Sequence, residues 1–197
     1  MRKTGHLLLV LASASPYRRE LLTRLCLPFI VAAPGIDETA LPGETPKMQA
    51  LRLACSKADA VSPAYPDALV IGSDQVVVVD GLVMGKPSGH ASALRQLRSA
   101  RGKSMLFLTA LCLLNTRTSR RQQCIVPVKV QMRNFTDAQI ERYLAKERPY
   151  DCAGSAKIEG LGIALVQKLE CSDPSTLIGL PLISLCNMLQ NEGITVL

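Results

Sequence analysis

The chain has 197 residues, a net charge of +7 and a pI near 9.2, with 48% hydrophobic and 20% charged residues. That balance excludes a disordered polyelectrolyte and leaves enough apolar surface for one domain with a real core or two small lobes. A membrane-spanning helix is excluded because no apolar run approaches the roughly 20 residues it needs, and the basic excess favours an anionic partner such as a nucleotide, nucleic acid or acidic lipid.

Arg2-Lys3, an apolar run and Ala12-Ser13-Ala14 imitate a secretory leader. The run over residues 7–12 is shorter than the roughly 7–15 residues of a leader core, so a soluble, cytoplasmic chain is expected. The seven Cys contain no C-x-x-C pair, and His6 and His90 stand alone. This argues against a zinc site and fits a reducing compartment.

Residues 7–22 read LLLVLASASPYRRELL. The apolar residues 7–12 predict a buried strand ending at Ser13-Ala14-Ser15-Pro16, where a helix begins. Proline suits a first helical turn because its missing N–H would be unpaired there, and Leu21, Leu22 and Leu25 follow at helical spacing. A strand passing through a Ser-rich turn into a helix aims free N–H groups at one point, which suits an anion. Ser13 and Ser15 add hydroxyls. Arg18 and Arg19 place cations at the positive end of the helix dipole, where a bound polyanion would offset their repulsion. An ordinary capped helix with solvated arginines has the same local pattern, since no Gly-rich phosphate loop is present.

Residues 27–33 predict a short strand, and 34–46 form a turn-rich acidic loop. Its adjacent Asp37 and Glu38 are either solvated or oxygen ligands for a divalent cation. Residues 47–61 predict an amphipathic helix with Met48, Leu51, Cys55, Ala58 and Val61 on one face, which leaves Lys57 off that face and exposed. Residues 68–79, ALVIGSDQVVVV, are the most strand-like segment. A charge inside a buried strand is costly unless paired or metal-bound, so Asp74 marks either a structural ion pair or a functional site. Gly72 suits a close backbone approach or a bulge.

Asp80-Gly81 is a hairpin turn returning through residues 82–84 to Gly85-Lys86-Pro87, which brings Lys86 within reach of the Asp74 strand. A helix is predicted over 91–100, strands over 104–115 and 122–132, and an exposed basic tip over 116–121. Thr136 and Gln139 begin a helix over 136–147 with a capping box. A Gly-rich stretch, 151–162, carries Lys157 and Glu159. A strand over 163–169, a short turn or helix from Asp173-Pro174-Ser175 and a helix over 182–190 complete the chain.

The stretches LASASPYRRELL, Asp37-Glu38, Lys57, IGSDQVVVVDG, Gly85-Lys86-Pro87, CAGSAKIEGLGIAL and LIGLPL occur in this order. Together they resemble the Maf-type nucleotide pyrophosphatases from about residue 7 to 189. Pro-Tyr-Arg-Arg, Ser-Asp-Gln and Ile-Glu-Gly look most like the YceF-type branch, which implies action on 7-methyl-GTP. The resemblance implies an α/β fold with a two-lobed mixed sheet, flanking helices and a central cleft, related in architecture to house-cleaning inosine triphosphatases. It implies a hydrolase cutting between the α and β phosphates with Mg²⁺ or Mn²⁺, and it suggests a homodimer. By this resemblance Asp74 is the general base, Glu38 a metal or catalytic carboxylate, and Lys86 a catalytic and phosphate-side residue. Ser13, Arg18 and Lys57 are phosphate-binding, Glu38 and Asp74 hold the metal, and Tyr17, Gln75 and Glu159 set substrate choice. The chain departs from the family pattern at Thr109-Ala110, where Thr-Gly is common, and at Ala156, where an aromatic is common.

These residue types suit the chemistry. Phosphoanhydride hydrolysis depends mainly on positioning and charge stabilisation, and a carboxylate can take the proton of the attacking water. A cationic 7-methylguanine ring suits an aromatic face at Tyr17 and a carboxylate at Glu159. The alternatives are a dTTP/UTP or broad-specificity pyrophosphatase, and a nucleic-acid-binding regulatory protein. At 4% aromatic residues, stacking platforms for a nucleic acid are scarce, so no stable nucleic-acid complex is expected.

Overall fold

The computed structural model describes residues 7–197. Arg2, Lys3 and His6, used in the sequence reading, lie outside the described residues. In chain order the elements are β1 (Leu8–Ala12), α1 (Pro16–Thr23), β2 (Phe29–Ala32), α2 (Pro46–Val61), β3 (Ala68–Val79), β4 (Leu82–Met84), α3 (His90–Ala100), β5 (Ser104–Asn115), β6 (Arg120–Met132), α4 (Asp137–Glu147), β7 (Val166–Glu170) and α5 (Leu182–Asn191). The seven strands form one mixed sheet in the order β2-β1-β3-β5-β6-β7, with β4 also paired to β3. β1 runs parallel to both β2 and β3, and the other pairings are antiparallel.

Strand alternation divides the core. On one face Leu69 and Ile71 of β3 pack with Leu21 and Leu22 of α1 and Leu185 and Leu189 of α5. Further along that face Val77 and Val79 pack with Ala93 and Leu97 of α3 and with Ile140 and Leu144 of α4. On the opposite face Val70 and Val76 pack with Ala50, Ala54 and Ala58 of α2. The polar run Ser73-Asp74-Gln75 therefore lies where the two cores of the first face meet. Among the described residues no helix is long and apolar enough to cross a membrane.

Local signals were met closely where the chain closes its own hydrogen bonds. Ser15 caps α1, its Oγ accepting from the Arg18 N–H, and Pro16 begins the helix. Asp80 and Gly81 both take positive φ, the type I′ geometry that matches the strand twist of the β3–β4 hairpin. In α4 both bonds of the Thr136–Gln139 capping box are formed.

Two expectations, the α2 stripe and the 163–169 strand, need correction, and two others, the strand over 27–33 and the basic tip, gain detail. The buried stripe of α2 is Ala50, Leu53, Ala54, Lys57, Ala58 and Val61; Met48 is exposed, and Lys57 is buried rather than exposed. β2 is an edge strand with Ile30 and Val31 open to solvent. Of the segment 163–169, the first part is a 3₁₀ turn, Leu161–Leu165, and only then does β7 begin. The basic tip is exposed, but its arginines are neutralised within the fold: Arg117 pairs with Asp67, Arg121 with Asp59 and Arg120 with Glu192.

Candidate active site

The sheet itself makes an opening. One edge of β3 is paired along its whole length with β5. On the other edge β1 pairs only as far as Leu11↔Ile71, and β4 only from Val77↔Met84. Residues 72–76 are left without a strand partner on that edge, and both neighbouring chains turn away beside them. β1 leaves through Ser13 into α1, while β4 leaves through Gly85 into Lys86. The gap thus sits between the Ser-rich turn and the Gly-Lys-Pro loop.

Gly72 lets α2 lie directly on this stretch. A Cβ there would stand 2.0 Å from the Ala54 carbonyl oxygen and 3.0 Å from the Ala58 amide nitrogen. With the helix so close, Lys57 reaches Asp74, which shares the face of Gly72. Lys57 Nζ lies 2.7 Å from Asp74 Oδ1 and 2.7 Å from Glu38 Oε1. Lys57 and Asp74 are 5% and 6% exposed, whereas the Glu38 side chain is 57% exposed. Burial raises the Asp74 carboxyl above its ordinary range, and Lys57 and Arg18 pull it back only in part. The loop bearing Glu38 is tied to α2 a second time. Arg52 forms a two-pronged ion pair with Glu44 at 2.6 and 2.8 Å and donates to the Thr39 carbonyl at 3.1 Å. Asp37 does not join Glu38 at the site, because its Oδ1 caps its own loop at Thr39.

Ser13 Oγ accepts from the Ser15 N–H at 3.1 Å, so both serines serve the turn's own backbone; each hydroxyl hydrogen stays available to a ligand. Arg18 and Arg19 part company. Arg18 is half-buried and donates through Nε to the Gly179 carbonyl at 2.8 Å. Burial opposes its charge, while Asp74 and Glu38 favour it. Arg19 is exposed and lines a separate concavity of about 540 Å³ with Thr23 and residues 27–31, sharing no lining residue with the Asp74 site.

Gln75 points to the opposite sheet face from Asp74. Its Nε2 lies 2.8 Å from Thr109 Oγ1 and 3.0 Å from the Thr176 carbonyl. Ser73 Oγ reaches the Ala110 and Gly179 carbonyls at 2.8 and 2.9 Å. These bonds strap the 3₁₀ turn Pro174–Ile178 and Gly179 to the sheet. Gly179 has φ +118°, and its Cα side faces the Arg18 guanidinium closely enough that a Cβ would stand 3.4 Å from Nε. Asp173, buried, holds the turn from below by accepting from Ser175 N–H and Ile183 N–H at 2.9 and 2.8 Å.

Across the gap, Tyr17 of α1 meets the 151–162 stretch. Its hydroxyl donates to Asp151 Oδ2 at 2.8 Å, and Lys157 Nζ stands 5.7 Å from its ring centroid. Burial, then the Asp151 bond, pushes the Tyr17 hydroxyl up to about 12. Lys157 also pairs with Glu147 at 3.0 Å. The Glu159 carboxyl is raised, first by the protein that desolvates it, with Glu147 and Asp151 adding to the effect.

The structure therefore brings Asp74, Glu38, Lys57 and Arg18 together, with Ser13 at the adjoining turn, and gathers Tyr17, Asp151 and Lys157 at a second lip, with Glu159 near Lys157 and Asp151. Lys86 is exposed and makes no ion pair among the described residues; it lies two residues beyond Met84, the last residue of β4 paired with β3. Neither departure from the family pattern opens on a pocket. The methyl of Ala110 is fully buried in the α2 core, and Ala156 is buried in the α3–α4 core. Sequence reasoning missed Asp151, Lys157 as a partner of Tyr17, Arg52–Glu44 and Asp173. Only Asp173 carried a local signal, the Asp-Pro-Ser start of a turn.

A family profile described as Maf-like protein matches residues 8–192. The chain is 58% identical over 189 residues to a 7-methyl-GTP pyrophosphatase of Thiobacillus denitrificans, covering 96% of this chain and 94% of that protein. It is 56% identical over 185 residues to one of Cupriavidus pinatubonensis, covering 94% and 93%. Among solved structures, the Staphylococcus aureus Ham1 protein superposes with a TM-score of 0.45 at 15% identity, over 64% of this chain and 72% of that one. With its family profile spanning nearly every described element and these relatives matching end to end, the chain belongs to the Maf family.

Proposed function

We propose that this chain is a nucleotide pyrophosphatase that hydrolyses the α–β phosphoanhydride of 7-methyl-GTP to 7-methyl-GMP and pyrophosphate. The observation that carries the chemistry is the buried Asp74–Lys57 pair, joined by the exposed Glu38, at the unpaired stretch of β3, facing the Ser-rich turn and Arg18. The substrate follows from relatives of more than half identity that bear that name.

A triphosphate enters with its charged oxygens toward Arg18, Lys57 and the Ser13 turn. Water attacks the α phosphorus in line, the bond to the bridging oxygen breaks, and pyrophosphate leaves with the bonding pair. Asp74 takes the water's proton; its raised carboxyl makes it a better base than an ordinary aspartate. Arg18 and Lys57 offset the charge that grows on the leaving group, and Lys86 adds to it from the exposed loop.

The residues fit a Mg²⁺ or Mn²⁺ ion. Glu38 and Asp74 turn oxygens toward one point, now bridged by the Lys57 ammonium, and Mg²⁺ is commonly held by one or two carboxylates together with substrate phosphates. Glu38 and Asp74 would hold it, and it would supply positive charge against the phosphate oxygens.

The test is pyrophosphate release from 7-methyl-GTP, GTP, dTTP, UTP and CTP, with Mg²⁺, Mn²⁺ or chelator, beside Asp74→Asn. Metal-dependent release from 7-methyl-GTP that is lost in Asp74→Asn supports the reading. Release mainly from dTTP and UTP overturns the substrate, and release unchanged in Asp74→Asn overturns the mechanism.

A further inference from the structure

Tyr17 and the 151–162 stretch come from opposite ends of the chain, yet they meet through a charged hydrogen bond. Asp151 Oδ2 accepts from the Tyr17 hydroxyl at 2.8 Å across 134 residues of sequence. Two physical consequences follow. The bond fixes the ring, since a phenol held at its hydroxyl cannot swing away from the second lip. It also pushes electron density into the ring, because a carboxylate that accepts from a phenol strengthens the negative face that attracts cations. That face already attracts one: the Lys157 ammonium stands 5.7 Å from the centroid.

The surroundings carry the same sign. Asp151 binds Tyr17, and Asp151, Glu159 and Glu147 bring three carboxylates near Lys157. Asp151 stays charged: burial opposes ionisation, but bonds from Tyr17 and the Cys152 thiol outweigh it and hold its carboxyl below the ordinary range. Lys157 is held by its backbone as well as its charge. Its N–H donates to the Tyr143 hydroxyl at 2.9 Å, and its carbonyl accepts from Gly162 at 3.0 Å.

We infer that Asp151 is a specificity-determining residue, which orients Tyr17 and supplies negative charge so that the site prefers a cationic purine over a neutral one. This rests on the 7-methyl-GTP reading. GTP is the matched control, since it differs by one methyl group and one positive charge while its phosphates meet the same groups.

The experiment compares Asp151→Asn and Asp151→Glu with the unaltered protein. Asparagine keeps an oxygen to accept from Tyr17 and removes the charge; glutamate keeps both the charge and an acceptor. The readouts are kcat/KM for 7-methyl-GTP and GTP below neutral pH, where the methylated ring keeps its charge, and calorimetric binding of 7-methyl-GMP and GMP. In Asp151→Asn the preference for the methylated substrate is expected to fall about tenfold, the binding preference is expected to fall with it, and Asp151→Glu is expected to recover most of both. If the unaltered protein prefers 7-methyl-GTP and Asp151→Asn keeps that preference, the inference is overturned and the reading stands. If the unaltered protein shows no preference, the reading fails and the inference with it. A fall in melting temperature with an unchanged preference assigns Asp151 a structural role only and overturns the inference.

Discussion

The two lips of the gap in β3 are built on opposite plans. At one lip Lys57 and Asp74 are buried and paired at 2.7 Å beneath α2, on the central strand of the sheet. At the other, Tyr17, Asp151, Lys157 and Glu159 sit on a helix start and on loops, with Asp151 and Glu159 exposed and Tyr17 and Lys157 half-buried. The first lip resists change because its charges have nowhere else to go. The second is free to vary, because an exposed loop carboxylate can be exchanged without leaving a buried charge unpaired. Phosphates are common to all nucleoside triphosphates and bases are not, so on the proposed function the rigid lip would serve the shared part of the substrate and the loop-borne lip the distinguishing part.

The sharpest way to break this division is Gly72→Ala. The added methyl would overlap the Ala54 carbonyl at 2.0 Å, and only a shift of α2 relieves it. We expect a loss of about 3 kcal/mol or more in denaturant unfolding and loss of turnover on every nucleotide, since α2 carries Lys57.

Lys57→Met comes next. It keeps the volume and strands Asp74, for an expected cost of about 3 kcal/mol near neutral pH. The penalty should shrink on acidification. Asp74 has a raised carboxyl in the folded state, so its proton is bound more tightly folded than unfolded. The stability linked to that proton is fully present below the unfolded value and is lost as pH rises through the folded one. Removing Lys57 raises Asp74 further, so thermal melts at low and neutral pH should diverge more in the variant than in the unaltered protein. A pH-independent penalty would mean that Asp74 is not the stranded group.

Glu38→Gln sharpens the contrast within one cluster. Glu38 is the exposed partner of Lys57, so stability should change by no more than about 1 kcal/mol, while metal-dependent turnover falls about a hundredfold. Smallest in stability is Glu159→Gln, expected within about 0.5 kcal/mol. Its effect should appear as a weaker preference for 7-methyl-GTP over GTP in paired kcat/KM measurements. A general loss of turnover on both substrates would place Glu159 with the rigid lip instead.

Lys57 shows where sequence reading of the site stops. Its stripe on α2 is marked by Ala50, Ala54 and Ala58, small residues that a hydrophobic ranking passes over in favour of Met48 and Leu51. Close packing of a helix on a sheet selects small side chains, and Gly72 on the facing strand is the matching half of that contact. Neither half is informative until the other is known. Gln75 makes the complementary point. Adjacent in sequence to Asp74, it faces the opposite side of the sheet, where it straps the turn that orients Arg18.

The sequence by itself determined the elements that close their own bonds, namely the Ser15-Pro16 start of α1, the Asp80-Gly81 hairpin and the Thr136–Gln139 capping box. It also determined the long apolar strands β3 and β5, because these depend on neighbours a few residues away. Its ordered motifs determined the family. Only the tertiary structure decided that β1 and β4 stop short and leave residues 72–76 open, that Lys57 turns inward between Asp74 and Glu38, and that Asp151 holds Tyr17. Each of those depends on partners distant in the chain, and a buried charge takes its position from whichever opposite charge the packed fold brings within reach.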